Sequence, residues 1–257
     1  MNKLEIKLIN LSGDSLFILW RFGILMIVPI TGIAIITLSL LKLSTNLYTF
    51  ITMFTLVLLL LYYLLVKGID KTLIFLLMEQ IDLDKYEAYW LKHIESKLGI
   101  KALAFHALGT VSFFRGNFER ALDYFEQSRR SKGQTSKARQ SFEDGRKEYI
   151  TQINCFMNEK ASDGINDFPI LVGKNNHFDD LQAIVDVMYF KKPSLFFEQN
   201  EDSQRTKISQ LMYTFYKAQN SLLLGNREEA QRLFSELSKE NPQRFIVQEA
   251  KKKLSEL

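Results

Sequence analysis

FGILMIVPITGIAIITLSLL at residues 22–41 and LSTNLYTFITMFTLVLLLLYYLLV at residues 43–66 decide the fold of the first part of this chain. Neither run holds a charged residue, and Lys42 alone separates them. A helix needs about 20 apolar residues to cross ~30 Å of hydrocarbon, and each run reaches that length. A core helix of a water-soluble domain seldom stays uncharged for so long, and two in succession weaken that reading further. A cleaved signal peptide fits poorly, because its apolar region is about 7–15 residues and ends in small residues. The first run closes instead on Leu40-Leu41-Lys42-Leu43.

Only Lys42-Leu43-Ser44-Thr45-Asn46 is available to connect the spans, which cover about residues 17–41 and 44–66. They are therefore expected to form a tight antiparallel hairpin with both chain ends on one side. Lys3, Lys7 and Arg21 flank the first span, and Lys67 and Lys71 follow the second. This Lys/Arg excess over the Lys42 loop predicts a multi-pass protein of the cell membrane with both termini cytoplasmic. Trp20, Tyr62 and Tyr63 suit one interface and Tyr48 the other. No ionisable group interrupts either run, so neither span marks an ion path. Thr49, Thr52 and Thr55 form a stripe that reads as hairpin packing.

The whole chain has 257 residues, 47% of them hydrophobic and 24% charged, which argues against global disorder. A single cysteine excludes a disulfide framework and a Cys-rich zinc module. A net charge of +4 is mild, so no nucleic-acid partner is expected. Frequent Lys, Asn, Ile and Phe with few Pro suggest an AT-rich bacterial source.

Composition changes after Val66, and the reading divides the chain into residues 1–71, the membrane hairpin, and 72–257, a cytoplasmic domain. Residues 70–78 are too apolar to stand free and are expected to pack or to lie on the bilayer. Asp84 with Glu87 predicts a capped helix start, followed by Tyr86, Trp90, Ile94 and Leu98 at helical spacing and a stop at Gly99. No alternating strand pattern follows, so the fold class is all-α.

An internal repeat organises the second part. Gly116-Asn117-Phe118-Glu119-Arg120-Ala121 returns as Gly225-Asn226-Arg227-Glu228-Glu229-Ala230. Seven residues before each Gly stands Gly109 or Ala218, and four after each Ala stands Phe125 or Phe234. Gly116 and Gly225 suit the left-handed residue that closes a helix. Asn117 and Asn226 suit the cap of the next. The small residues suit close helix crossings.

These residues resemble tetratricopeptide repeats. Ala102–Arg130, with Phe105, Leu108, Gly109, Ala121, Phe125 and Ser128, is similar to one copy. Leu211–Pro242, with Ala218, Ala230, Phe234 and Pro242, is similar to another. The pattern departs from the family at Ser112, Ser221, Lys217 and Gly133. The resemblance implies a TPR-like α-solenoid, a bacterial membrane protein of repeats behind a two-helix hairpin. The interval from Ala102 to Leu211 is close to three repeat lengths, so two degenerate repeats are expected between residues 131 and 210. Candidates are Ser141–Met157 with Lys160–Val172, and Phe178–Phe190 with Ser194–Gln199. Arg244–Leu257 is expected to be a closing helix.

The resemblance also implies a concave groove lined by the inner helices. By the family's positions His106, Thr110 and Phe113 face it in the first copy, and Phe215, Gln219 and Leu222 in the second. Core packing is the competing role for some of these side chains. The Lys/Arg/Asn clamp with which some relatives bind C-terminal carboxylates is absent, so a carboxylate-reading groove is disfavoured. Arg129, Arg130, Lys132, Lys137 and Arg139 form the densest basic stretch, either a solvated linker or a contact with anionic lipid.

No catalytic constellation is legible. His93, His106 and His177 share no metal-ligand spacing, so neither a metal nor another cofactor is expected. Cys155 lies in an apolar stretch and reads as a buried thiol. Asp179-Asp180 and Glu228-Glu229 stand at helix starts, where the dipole favours acids. The sequence therefore predicts a non-enzymatic, membrane-anchored scaffold or adaptor. It binds a peptide or protein partner at the cytoplasmic face, with the lipid bilayer as its other partner and no small-molecule substrate. The alternative is a subunit of a membrane complex, of the bacteriocin-immunity or secretion type, with the repeats as a docking arm.

Overall fold

The computed structural model describes residues 3–40, 45–97, 100–131, 179–199 and 206–257, and all regular elements among them are helical. The chain divides into two units, Met1–Gly99 and Ile100–Leu257.

In the first unit, α1 covers Lys3–Ile9, α2 Gly13–Leu40 and α3 Thr45–Phe75. α2 has 28 residues and α3 has 31, so each extends beyond ~40 Å at 1.5 Å per residue. Both are long and apolar enough to cross a membrane. They pair as an antiparallel hairpin in which Gly23 lets Tyr62 approach; a Cβ at Gly23 would lie 2.4 Å from the Tyr62 ring. Of the threonine stripe, Thr55 is buried, Thr52 half-buried and Thr49 exposed.

α3 ends in a π-helical turn, Leu76–Gln80, closed by Ile81 in the left-handed region (φ 57°). α4 then covers Leu83–Glu95. Its cap is Asp82, whose carboxylate accepts from the Lys85 amide at 3.0 Å. The expected cap, Asp84, is instead exposed inside the first turn. Leu83 is fully buried, and bringing it into the core starts the helix earlier.

Residues 72–97 belong with the hairpin and not with the second unit, which moves the boundary from residue 71 to Gly99. The reason is an apolar seam. α4 runs beside the first turns of α2, with the Lys85 carbonyl and the Tyr89 amide so close to Gly13 that a Cβ there would lie 2.3 and 2.7 Å away. Leu73, Leu76 and Leu77 are buried, which gives the apolar stretch after Asp70 its packing partner. Lys71 pairs with Glu5 of α1 at 3.3 Å, and Lys85 donates to the Ile9 carbonyl at 2.6 Å.

The second unit holds α5 (Lys101–Phe114), α6 (Phe118–Arg130), α7 (Asp179–Met188), the short α8 (Phe196–Gln199), α9 (Lys207–Leu223), α10 (Arg227–Ser238) and α11 (Phe245–Glu256). α5 with α6, and α9 with α10, are helical hairpins closed by the same turn. The Asn117 amide donates to the Ser112 carbonyl and the Gly116 amide to Phe113; Asn226 and Gly225 donate likewise to Ser221 and Leu222. Gly116 and Gly225 have φ of 81° and 79°, the left-handed closure expected of them. The Asn226 side chain caps α10, whereas Asn117 makes no side-chain cap bond. Ala121, Ala218 and Ala230 are fully buried, and a Cβ at Gly109 would lie 2.5 Å from the Phe125 ring.

The two hairpins meet around one side chain. The Phe245 ring lies 5.9 Å from Phe113, 5.2 Å from Phe118 and 6.2 Å from Phe215. A linear array with two intervening hairpins would hold the outer copies apart. The proposed hairpin at 141–172, and with it Cys155, lies outside the described residues. The segment expected at 178–199 forms α7 and α8, and α8 packs its Phe197 on Tyr213 of α9 at 5.6 Å.

Candidate functional site

The six residues expected to line a groove fall into two groups. Thr110, Phe113 and Phe215 are buried, at 2%, 3% and 1% exposure. The Thr110 hydroxyl donates back to the His106 carbonyl at 3.2 Å, which satisfies it inside its own helix. Phe113 stacks edge-on against Phe114 and Phe245, and Phe215 against Tyr216 and Phe245. These two phenylalanines are brought together, but as core around Phe245; α11 covers the side where an exposed anchor was expected. His106, Gln219 and Leu222 are half-buried and keep some surface. The His106 ring lies 5.4 Å from Phe125.

Of the basic stretch, Arg130 is exposed and pairs with Glu126 one turn before it, and Arg129 lies in the last turn of α6. Lys132, Lys137 and Arg139 lie outside the described residues. Among the described residues no cluster of His, Cys, Asp or Glu is placed to hold a metal ion.

Three features escaped the sequence reading. The first is a bare apolar pair: Phe190 and Leu195, 53% and 65% exposed, flank the turn after α7, where Lys191 has φ 53°. The Ser194 amide donates to buried Asn220 at 2.7 Å and pins this turn to α9. Two large apolar residues on either side of Pro193 were the available signal.

The second is His93, fully buried on α4. Phe17, Trp20, Tyr89 and Trp90 surround it with ring centroids at 4.8, 4.4, 4.9 and 5.2 Å. Burial lowers its pKa to about 4, so the imidazole is neutral near pH 7. It serves as an aromatic core residue of the first unit. The third is Arg244, which is 2% exposed.

The surface of the two long helices is largely apolar. Ile33, Phe50 and Leu61 are 64%, 67% and 57% exposed, in company with most large side chains of α2 and α3. Water-soluble monomers rarely show continuous apolar surface beyond a few hundred Å². The chain is, among its described residues, an all-helical protein with two helices long and apolar enough to cross a membrane. No family model, curated protein or solved structure matches it.

Proposed function

We propose that the protein is a membrane-anchored, TPR-like scaffold, a non-enzymatic adaptor that binds a peptide or protein at the cytoplasmic face. The observation that carries the reading is the pair of helical hairpins whose Gly-Asn turns share the same hydrogen bonds, in a chain whose two long helices expose most of their apolar side chains. A bilayer is the solvent that such an outward apolar face suits. Tethering then raises the effective concentration of the second unit for partners at the membrane. Both buried phenylalanines are withdrawn from the binding role. The residues that keep surface are His106, Gln219 and Leu222 on the inner helices, with Phe190 and Leu195 beside α9.

The alternative, a subunit of a membrane complex, is favoured by one detail: a Cβ at Gly32 would meet nothing within 4 Å, which leaves a notch at mid-span for another helix. Crosslinking from intact membranes with the full chain separates the two. In the scaffold reading, Phe190→Ser with Leu195→Ser weakens capture of the native partner at least tenfold and leaves thermal unfolding unchanged, while Gly32→Leu has no effect. Capture lost only with Gly32→Leu overturns the scaffold reading in favour of the complex.

A further inference from the structure

The turn between α7 and α8 carries apolar and cationic groups side by side on the surface of the second unit. From Phe190 to Leu195 every residue except Ser194 is exposed, and the apolar side chains at the two ends are the most exposed large hydrophobics of that unit. Lys191, Lys192 and Pro193 lie between them, and no acidic residue occurs from Val187 to Phe197. The Lys191 ammonium donates to the neutral Met188 carbonyl at 2.7 Å. Burial and the neighbouring Lys253 lower its pKa, so the charge acting on Lys191 is a second cation. Lys253 itself pairs with Glu256.

The backbone holds this arrangement in place. The Phe190 amide donates to the Val185 carbonyl at 3.2 Å and the Lys192 amide to the Asp186 carbonyl at 2.9 Å. The Ser194 amide, bonded to Asn220, fixes the far side. Lys191 occupies the left-handed region, where glycine or asparagine is the usual residue. A contact made by such a turn needs little further ordering.

We infer that this turn is a second membrane contact, seating Phe190 and Leu195 at the acyl boundary and Lys191 and Lys192 among anionic lipid headgroups. Binding of this kind grows with the apolar area inserted and with attraction to anionic lipid, and each lysine near such a surface strengthens it about fivefold. A protein partner would have to supply a pocket for each apolar side chain with acids between them. A bilayer containing anionic lipid offers both layers everywhere along its surface. It is also met at high effective concentration, because the two long helices that suit it belong to the same chain. The inference rests on the membrane reading of those helices. It leaves His106, Gln219 and Leu222 to the peptide, and the loss of capture in Phe190→Ser with Leu195→Ser then follows from lost placement at the membrane.

The test places the full chain carrying Phe190→Trp in phosphatidylcholine vesicles, with or without about one third phosphatidylglycerol. Lipids brominated in the acyl chain quench tryptophan fluorescence at the acyl boundary, and the signal of Trp20 and Trp90 is subtracted with the natural protein. In anionic vesicles the added tryptophan is expected to lose about half of its emission or more, and clearly less in neutral vesicles or with Lys191→Gln and Lys192→Gln. Equal quenching in neutral vesicles, or quenching undiminished by the two glutamines, overturns the anionic-lipid assignment. Should Phe190→Trp fail to fold, Leu195→Trp reports from the other end of the turn. Flotation with the vesicles checks the membrane reading separately. A chain that floats without quenching overturns this inference alone and gives the turn to a protein partner. A chain that does not float overturns the membrane reading and this inference with it.

Discussion

Gly116 and Gly225 share a backbone conformation and differ in what surrounds them. Their φ angles, 81° and 79°, lie where a side chain costs roughly 1–2 kcal/mol. A Cβ at Gly116 would also lie 2.7 Å from Cβ of Phe245, whereas one at Gly225 would meet nothing within 4 Å. Gly225→Ala is therefore expected to show the backbone strain alone, and hydrogen exchange in α9 and α10 should quicken about tenfold. Gly116→Ala carries the same strain and must also displace Phe245, so exchange in α5, α6 and α11 should quicken by clearly more. Equal effects at the two positions would mean that α11 does not pack on the first turn. The left-handed glycines were legible because the turn chemistry is local. Phe245 was not, since nothing in a local pattern announces a ring that joins residues more than a hundred positions apart.

Helix pairs were legible where small residues mark a crossing and obscure where the partner is remote in the chain. Ala121 and Ala230 were read as crossing points, and both are fully buried. Leucine at either position adds methylenes where there is no room, which typically costs 1–3 kcal/mol. Ala121→Leu should quicken exchange in α5 and α6, and Ala230→Leu should do so in α9 and α10. Unchanged exchange in both would refute the crossings. The α4 element shows the opposite case. Its apolar face was visible in Tyr86, Trp90 and their neighbours, but not that it would lie on Gly13 and Phe17. The same blindness affected the groove. Helix phase groups Phe113 with His106 and Phe215 with Gln219, yet phase says nothing of α11, which packs Phe245 on both phenylalanines.

For the whole molecule, the hairpin was the most legible feature because hydropathy over about 20 residues integrates many weak signals. Its sidedness is a separate question, and it turns on charge. Arg21 and Lys67 are exposed at the base of the hairpin, and the Lys67 ammonium lies 4.8 Å from the Tyr63 ring centroid. Tyr63 itself is exposed, so this cation and ring together suit the headgroup layer. In the sequence Lys3 and Lys7 precede the two spans and Lys71 follows their apolar run, against Lys42 alone between them. The expected orientation thus has both termini in the cytoplasm and Ser44 outside. With Cys155 replaced by Ser, a cysteine at Ser44 should react in intact cells with a thiol reagent that does not cross the membrane. A cysteine appended at the C-terminus should react only after the cells are opened. The reverse pattern inverts the topology, and labelling of both positions in intact cells would mean that the two helices do not span.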